Sequence, residues 1–374
     1  MRSMNWGRLR SGILGSLAAP MLVAGAAVAS VAPQAASADE LTDEEREIAA
    51  AGGAYEFSGY LQELMETMPE AVVDHRWAED HGEVWVATDS MTGATELAES
   101  LPITVTVKEA PDHAVPVAKR SDIELEAMVE AERAGISVTA ATYSPQRDEV
   151  TLKGRTSPSE AAALLATTKL AARSAGTAHT PRIRYIHDDE PLPEENYRGG
   201  RPYSGCTGGF VARRNGQQGI TTAAHCFTKP SSYDGSKAEA TWMATNKRDV
   251  RFMSVLSGRA EPRFQYSHGK YRTVTSKGVV SPGMTIYKYG RTTGYGQTSI
   301  RKYEGCLRYV DNRTWCGLYS TNKHVTKGGD SGGPWFVGGK ALGLTSGGNG
   351  VSSFLTPQSE VGYIDGTVSI VVQR

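Results

Sequence analysis

Cysteine is scarce in this chain and missing from its first 205 residues. Only Cys206, Cys226, Cys306 and Cys316 occur in 374 positions. None stands in a C-x-x-C pair, so the spacing disfavours a zinc site, and neither a metal nor a cofactor is expected. Long apolar runs are equally rare: after a stretch from about Ile13 to Val31, no segment approaches a membrane span. The charged fraction is an ordinary 22%, which excludes wholesale disorder. Basic residues are numerous in the second half but scattered, without a nucleic-acid motif, so no nucleic-acid partner is expected.

At the front, Arg2, Arg8 and Arg10 precede a run of small and apolar residues. Ala36-Ser37-Ala38 then leads into Asp39-Glu40. This is the pattern of a secretory leader, residues 1–38, cut near Ala38 and directing the protein out of the cell. The Gly, Ala and Ser content of the run and Pro20 within it argue against a retained membrane anchor. In an exported protein, four cysteines read as two disulfides. Three pairings are possible, and spacing favours Cys206 with Cys226 and Cys306 with Cys316, each closing a hairpin. Such bridges contribute about 3 kcal/mol each by the loop-entropy model.

The near-neutral total charge hides an asymmetry. Of 40 Lys+Arg and 41 Asp+Glu, 24 and 9 lie from Arg198 onward, leaving 16 and 32 before it. An acidic region, residues 39–197, thus precedes a basic one, residues 198–374, and the two halves of one precursor are complementary. The periodicity of Leu41–Ala50 and Tyr55–Met68 predicts helices. Then Ser121–Ala134 reads as helix, Ile136–Ala140 as strand, Gln146-Arg147-Asp148 as turn and Glu149–Lys153 as strand. Ser157-Pro158-Ser159-Glu160 opens another helix, and Ile183–Ile186 is a strand. That order describes a small α+β domain. The charged, proline-bearing segment 187–196 is an exposed linker. Beyond it glycine is frequent and short β-favouring runs recur at 209–212, 219–222, 240–243, 285–288 and 341–344. They indicate an all-β barrel or sandwich.

Two motifs carry chemistry. Thr222-Ala223-Ala224-His225-Cys226 offers an imidazole; Gly329-Asp330-Ser331-Gly332-Gly333-Pro334 offers a hydroxyl in a glycine-rich turn. A serine hydroxyl is a poor nucleophile at neutral pH. It needs a base to take its proton and backbone N–H groups to hold the oxyanion.

Together with Gly205-Cys206-Thr207-Gly208-Gly209-Phe210, Gly290-Arg291-Thr292-Thr293-Gly294 and Ala341–Gly348, these motifs resemble the bacterial streptogrisin and α-lytic serine proteases of the chymotrypsin fold. The resemblance implies two antiparallel six-stranded β-barrels with the active site between them. It implies Ser331 as nucleophile, His225 as general base, and the N–H groups of Gly329 and Ser331 as oxyanion hole. The orienting carboxylate lies between them in the family's chain order. Asp249, which begins the alternating strand Asp249–Met253, is preferred over Asp234 and Asp311, which stand in turn pairs, and over Glu239, Glu261 and Glu304.

Asp330 beside the nucleophile needs a buried cationic partner, for which Lys288 is preferred and Arg291 is the fallback. His268 and His324 read as surface residues. Thr345, Ser346, Gly347 and Gly348 are expected to wall the specificity pocket. Thr345 stands where glutamate-selective relatives carry histidine, and 322–327 has no acid to receive Lys or Arg, so a large apolar or aromatic side chain is expected before the cut. The acidic half resembles the pro-domains of these proteases, which implies an intramolecular chaperone and inhibitor. Cleavage after Tyr197 would release the mature enzyme, a monomer acting on proteins or peptides. An esterase of the α/β-hydrolase type is disfavoured, because there the serine precedes the histidine. A catalytically dead binding protein would need a missing triad member.

Overall fold

A computed structural model describes residues 41–167, 181–189, 205–226, 232–233, 236–255 and 261–373. The leader 1–38, most of the linker, the Tyr197–Arg198 bond and Asp234 lie outside these residues. Among the described residues no helix is long and apolar enough to cross a membrane.

The chain enters through helix α1, Asp43–Ala51, whose start is dictated locally. Thr42 accepts the Glu45 N–H while the Glu45 carboxylate accepts the Thr42 N–H, a reciprocal cap that satisfies two orphan donors. Asp43, Glu44 and Glu45 place negative charge at the positive end of the helix. Helix α2, Gly53–Thr67, buries Phe57, Tyr60, Leu61 and Leu64 at helical spacing. It covers a three-stranded sheet of β1 (Val72–Ala78), β2 (His81–Val86) and β3 (Val105–Glu109), with α3 (Met91–Glu99) packed alongside. The sequence reading places no element over residues 72–109. Their strands are short, and parallel pairing of β2 with β3 requires the α3 crossover, which only tertiary contacts define.

Next come α4 (Val117–Arg133), β4 (Val138–Ser144), β5 (Glu149–Gly154), α5 (Pro158–Thr167) and β6 (Arg182–His187), in the helix, strand, strand, helix, strand order read from the sequence. The β4–β5 turn holds Asp148 at φ 48°, a conformation Asp tolerates.

From Gly205 onward the described chain is built mainly of strands, with a 3-10 helix at Gln358–Ile364. A six-stranded sheet contains β7 (Val211–Arg214), β8 (Gln217–Thr222), β9 (Ser232–Tyr233), β10 (Ser236–Met243) and β11 (Arg251–Val255), with β21 (Val368–Ile370) returning to its β7 edge. The hairpin β12 (Arg263–Ser267) and β13 (Lys270–Thr273) and the short β14 (Ser276–Lys277) connect it to a second set. That set comprises β15 (Thr285–Gly290), β16 (Gly294–Arg308), β17 (Thr314–Thr321), β18 (Pro334–Val337), β19 (Lys340–Gly348) and β20 (Ser353–Pro357). They pair in the order β15-β18-β19-β20-β17-β16, and β15 also pairs with β16. The architecture of the second half is all-β, as its glycine-rich, alternating texture implied.

The two halves share structure. β4 pairs antiparallel with β16, Cys306 opposite Ala141, so the β4–β5–β6 strands extend the second sheet set. α1 and the first turn of α2 contribute Ala51 and Ala54 to the largest hydrophobic core, beside Trp335, Phe336 and Leu344. Charge complementarity is local as well as global: Glu66 meets Lys277 at 2.6 Å, and Glu132 pairs with Arg308. In each pair the acid comes from the first half and the base from the second.

Candidate active site

The segments around His225 and Ser331 are in direct contact. Gly332 has φ 80°, and a Cβ there would lie 2.1 Å from Thr222 Oγ1 and 2.8 Å from the Ala223 nitrogen. Only glycine lets the two chains approach so closely. Cys226 Sγ is 3.7 Å from the Ser331 carbonyl oxygen, which also accepts the Thr207 N–H at 2.8 Å. A 2.05 Å disulfide joins Cys226 to Cys206, and another joins Cys306 on β16 to Cys316 on β17. Cys206, His225 and Cys226 lie close enough to hold a metal, but the disulfide consumes both sulfurs.

His225 is 2% exposed and Asp249 fully buried. Imidazole Nδ1 lies 2.8 Å from Asp249 Oδ2 and 3.0 Å from Oδ1, and the His225 backbone N–H donates to Oδ1 at 3.1 Å. A carboxylate on Nδ1 fixes the proton there and leaves Nε2 as the basic nitrogen. Asp249 sits just ahead of β11 rather than inside it. Asp311 instead closes its own turn by accepting the Arg313 N–H at 3.0 Å.

Sequence reasoning missed one partner of Asp249. The Ser346 hydroxyl donates to Asp249 Oδ2, and Tyr309 OH lies 2.7 Å from Ser346 Oγ. Ser346 was expected to wall the pocket. Its side chain is committed to the carboxylate instead, so it contributes only backbone to any wall. No local signal announces this, because which face of β19 a side chain takes depends on register.

Asp330 is held by many donors. Oδ1 accepts the N–H groups of Thr292 (2.9 Å) and Thr293 (3.1 Å); Oδ2 accepts the Lys327 N–H (2.9 Å) and the Thr293 hydroxyl. Lys288 Nζ is 3.5 Å from Oδ2, both side chains being fully buried, and it also donates to Thr293 Oγ1 and to the Gly294 carbonyl at 2.9 Å. Burial pushes the Lys288 ammonium below its ordinary range while Asp330 draws it back up. Arg291 reaches this region through its backbone N–H, which donates to Thr207 Oγ1. Thr207, also missed, donates that hydroxyl to the Gly329 carbonyl at 2.6 Å and so braces the turn before Ser331. Gly329 has φ 95°, and among the described residues neither its N–H nor that of Ser331 is spent on a backbone partner.

Around the expected pocket, Thr326 Oγ1 donates to the Gly347 carbonyl at 3.3 Å and bonds Ser353 Oγ at 2.9 Å. His268 is exposed in a turn, but His324 is half-buried. Its Nδ1 accepts the Gly350 N–H at 2.9 Å, and its Nε2 bonds the Thr326 carbonyl. It therefore ties 322–327 to the 347–350 segment. A Cβ on Gly348 would meet its ring at 2.6 Å.

On this β-rich frame a serine in a glycine-braced turn is packed against the segment that carries His225, whose imidazole is held by the buried Asp249 carboxylate. Residues 254–359 match the trypsin family model. Serine protease 2 of Streptomyces fradiae is 31% identical over 155 residues, covering 39% of this chain and 87% of that protein. Streptogrisin-A of Streptomyces griseus is 30% identical over 148 residues, or 39% of this chain; the match spans only 49% of streptogrisin-A. Among solved structures, a Cellulomonas bogoriensis chymotrypsin is 25% identical, covers 49% of this chain and 98% of that chain, and has a TM-score of 0.40. The chain belongs to the bacterial serine proteases of the trypsin type.

Proposed function

We propose that the protein is a secreted serine endopeptidase, made as a precursor, that cleaves peptide bonds through an acyl-enzyme. Ser331 Oγ attacks the scissile carbonyl carbon while His225 Nε2 takes its proton. The oxyanion enters the N–H groups of Gly329 and Ser331. His225 then protonates the departing amine, and a water deprotonated by the same nitrogen releases the acid. Asp249 holds the imidazole and stabilises its charged form. The observation that carries this reading is the buried Asp249–His225 pair at 2.8 Å, in a segment packed directly on the Ser331 turn.

The precursor reading assigns 1–38 as leader, 39–197 as pro-region and 198–374 as protease domain. It is supported by the shared sheet and by the opposite charges of the halves. A slow, non-local β-fold gains from a template, and the pro-region supplies one as chaperone and inhibitor. Multiple donors on Asp330 support activation by relief of blockage, since no freed N-terminus is required. The glycine-lined segment 347–348 supports a large apolar or aromatic side chain before the cut.

The test is to express the full chain, sequence the mature N-terminus and profile a peptide library. A start at Arg198 and cleavage after aromatic or large aliphatic residues are expected. Ser331→Ala and His225→Ala should each lower kcat/KM by about 10⁴-fold or more. Undiminished hydrolysis in either variant would overturn the assignment.

A further inference from the structure

Away from the serine and histidine, one carboxylate is buried at the contact between the halves and is received by a ready-made set of donors. Glu47, on α1, is 2% exposed. Its Oε2 accepts from Arg272 Nη1 at 2.6 Å and from the Gly338 N–H at 3.0 Å, and its Oε1 accepts from Tyr295 OH at 3.0 Å. The donors come from three places, β13, the β18–β19 turn and β16, all in the second half of the chain.

The receptor has supports of its own within the second half. The Arg272 guanidinium lies 4.1 Å over the Tyr266 ring and 5.6 Å from that of Phe336, and its Nη1 also donates to the Gly338 carbonyl at 3.1 Å. Stacking and that carbonyl hold the fork in place, so little conformational entropy remains to be lost when a carboxylate arrives. The turn is shaped for close approach: a Cβ on Gly338, at φ 54°, would lie 2.9 Å from Ile48. Three donors on one carboxylate specify register as well as charge. Arg272 Nε also lies 3.6 Å from Glu44 Oε2 on the same helix, so sliding α1 by one residue would put Arg46 or Ile48 in place of Glu47 at Nη1 and break the closer, buried ion pair.

We propose that Arg272, Tyr295 and the Gly338 N–H form a carboxylate-binding exosite on the second half of the chain, specific for an acidic side chain presented on a helix and filled here by Glu47. The contact does not depend on catalysis. Its further use rests on the precursor reading: once the acidic half is cut away, the vacated site is open to an acidic helical peptide, its own released α1 segment first of all.

The test uses the full chain carrying Ser331→Ala, with hydrogen exchange of the α1 amides as readout. Glu47→Ala should raise that exchange by about tenfold or more while leaving β15 and β19 protected. Acetate at roughly 100 mM, the carboxylate excised by the substitution, should restore most of the lost protection, which chloride at equal ionic strength should not. In Glu47→Ala/Arg272→Met, acetate should have no effect. Unchanged α1 exchange in Glu47→Ala, failure of acetate to restore it, or equal restoration in the double variant would each overturn the exosite. None of these readouts involves hydrolysis, so a failure here is distinct from a failure of the endopeptidase reading.

Discussion

At the residue scale, the buried Asp249 carboxylate is held by three donors, with His225 N–H, His225 Nδ1 and Ser346 Oγ all directed at it. Removing the Ser346 hydroxyl leaves a buried carboxylate short of a donor and lets the imidazole relax. Ser346→Ala is therefore expected to lower kcat by roughly tenfold with KM little changed, far less than Ser331→Ala, in steady-state assays on a chromogenic peptide. A KM effect alone would return Ser346 to the pocket wall. Gly290 is a second sensitive point. A Cβ there would lie 2.3 Å from the Asp330 carboxyl, so Gly290→Ala should cost about 2 kcal/mol or more, read as a lower urea midpoint at unchanged m-value.

At the scale of elements, one contact that joins the halves is the short β4–β16 ladder, Ala141 opposite Cys306 and Ala140 opposite Leu307, reinforced by Thr142 Oγ1 donating to the Glu304 carbonyl at 3.0 Å. Proline inside a paired strand removes a donor and distorts the ladder. Ala141→Pro, in a Ser331→Ala background, should speed exchange of the Cys306 and Leu307 amides and leave β7, β8 and β11 protected. Equal loss in both sheets would mean global unfolding rather than separation at this seam. The same scale explains why sequence reading located β4, β5 and β6 but not their neighbour: alternation identifies strands, whereas the edge they join is chosen by shape and charge more than 150 residues away.

Across the whole molecule, His75 couples the halves to pH. It lies on β1 of the first half, with Nδ1 3.1 Å from Ser281 Oγ and Nε2 3.5 Å from Tyr319 OH of the second. Burial pushes its pKa down to about 4, with Asp74 opposing and Arg120 reinforcing the shift. The folded state thus favours the neutral ring. Stability is intact above the unfolded value near 6.5 and is lost as pH falls from there toward 4. Glu124, raised to about 7 by burial, acts in the opposite sense, since protonation below that value favours the folded state. The difference between parent and His75→Gln isolates the histidine. Urea midpoints at pH 7 and 4.5 should fall further in the parent, and parallel slopes would overturn the coupling.

What the sequence determined alone is the chemistry carried by short motifs: a serine among glycines, a histidine beside a cysteine, the helix cap at Thr42, the acidic-then-basic division. Each is written in neighbouring residues, where backbone preference and side-chain type act over a few positions. Alternation after Asp249 marks a strand approach, whereas Asp311 stands in a turn, and the structure puts the Asp249 carboxylate on His225. Ser346 facing Asp249, Thr207 bracing Gly329, His324 tying two segments and Glu47 entering its pocket were decided only in three dimensions. A side chain's partner depends on strand register and on which distant surface packs against it, and no local pattern encodes either.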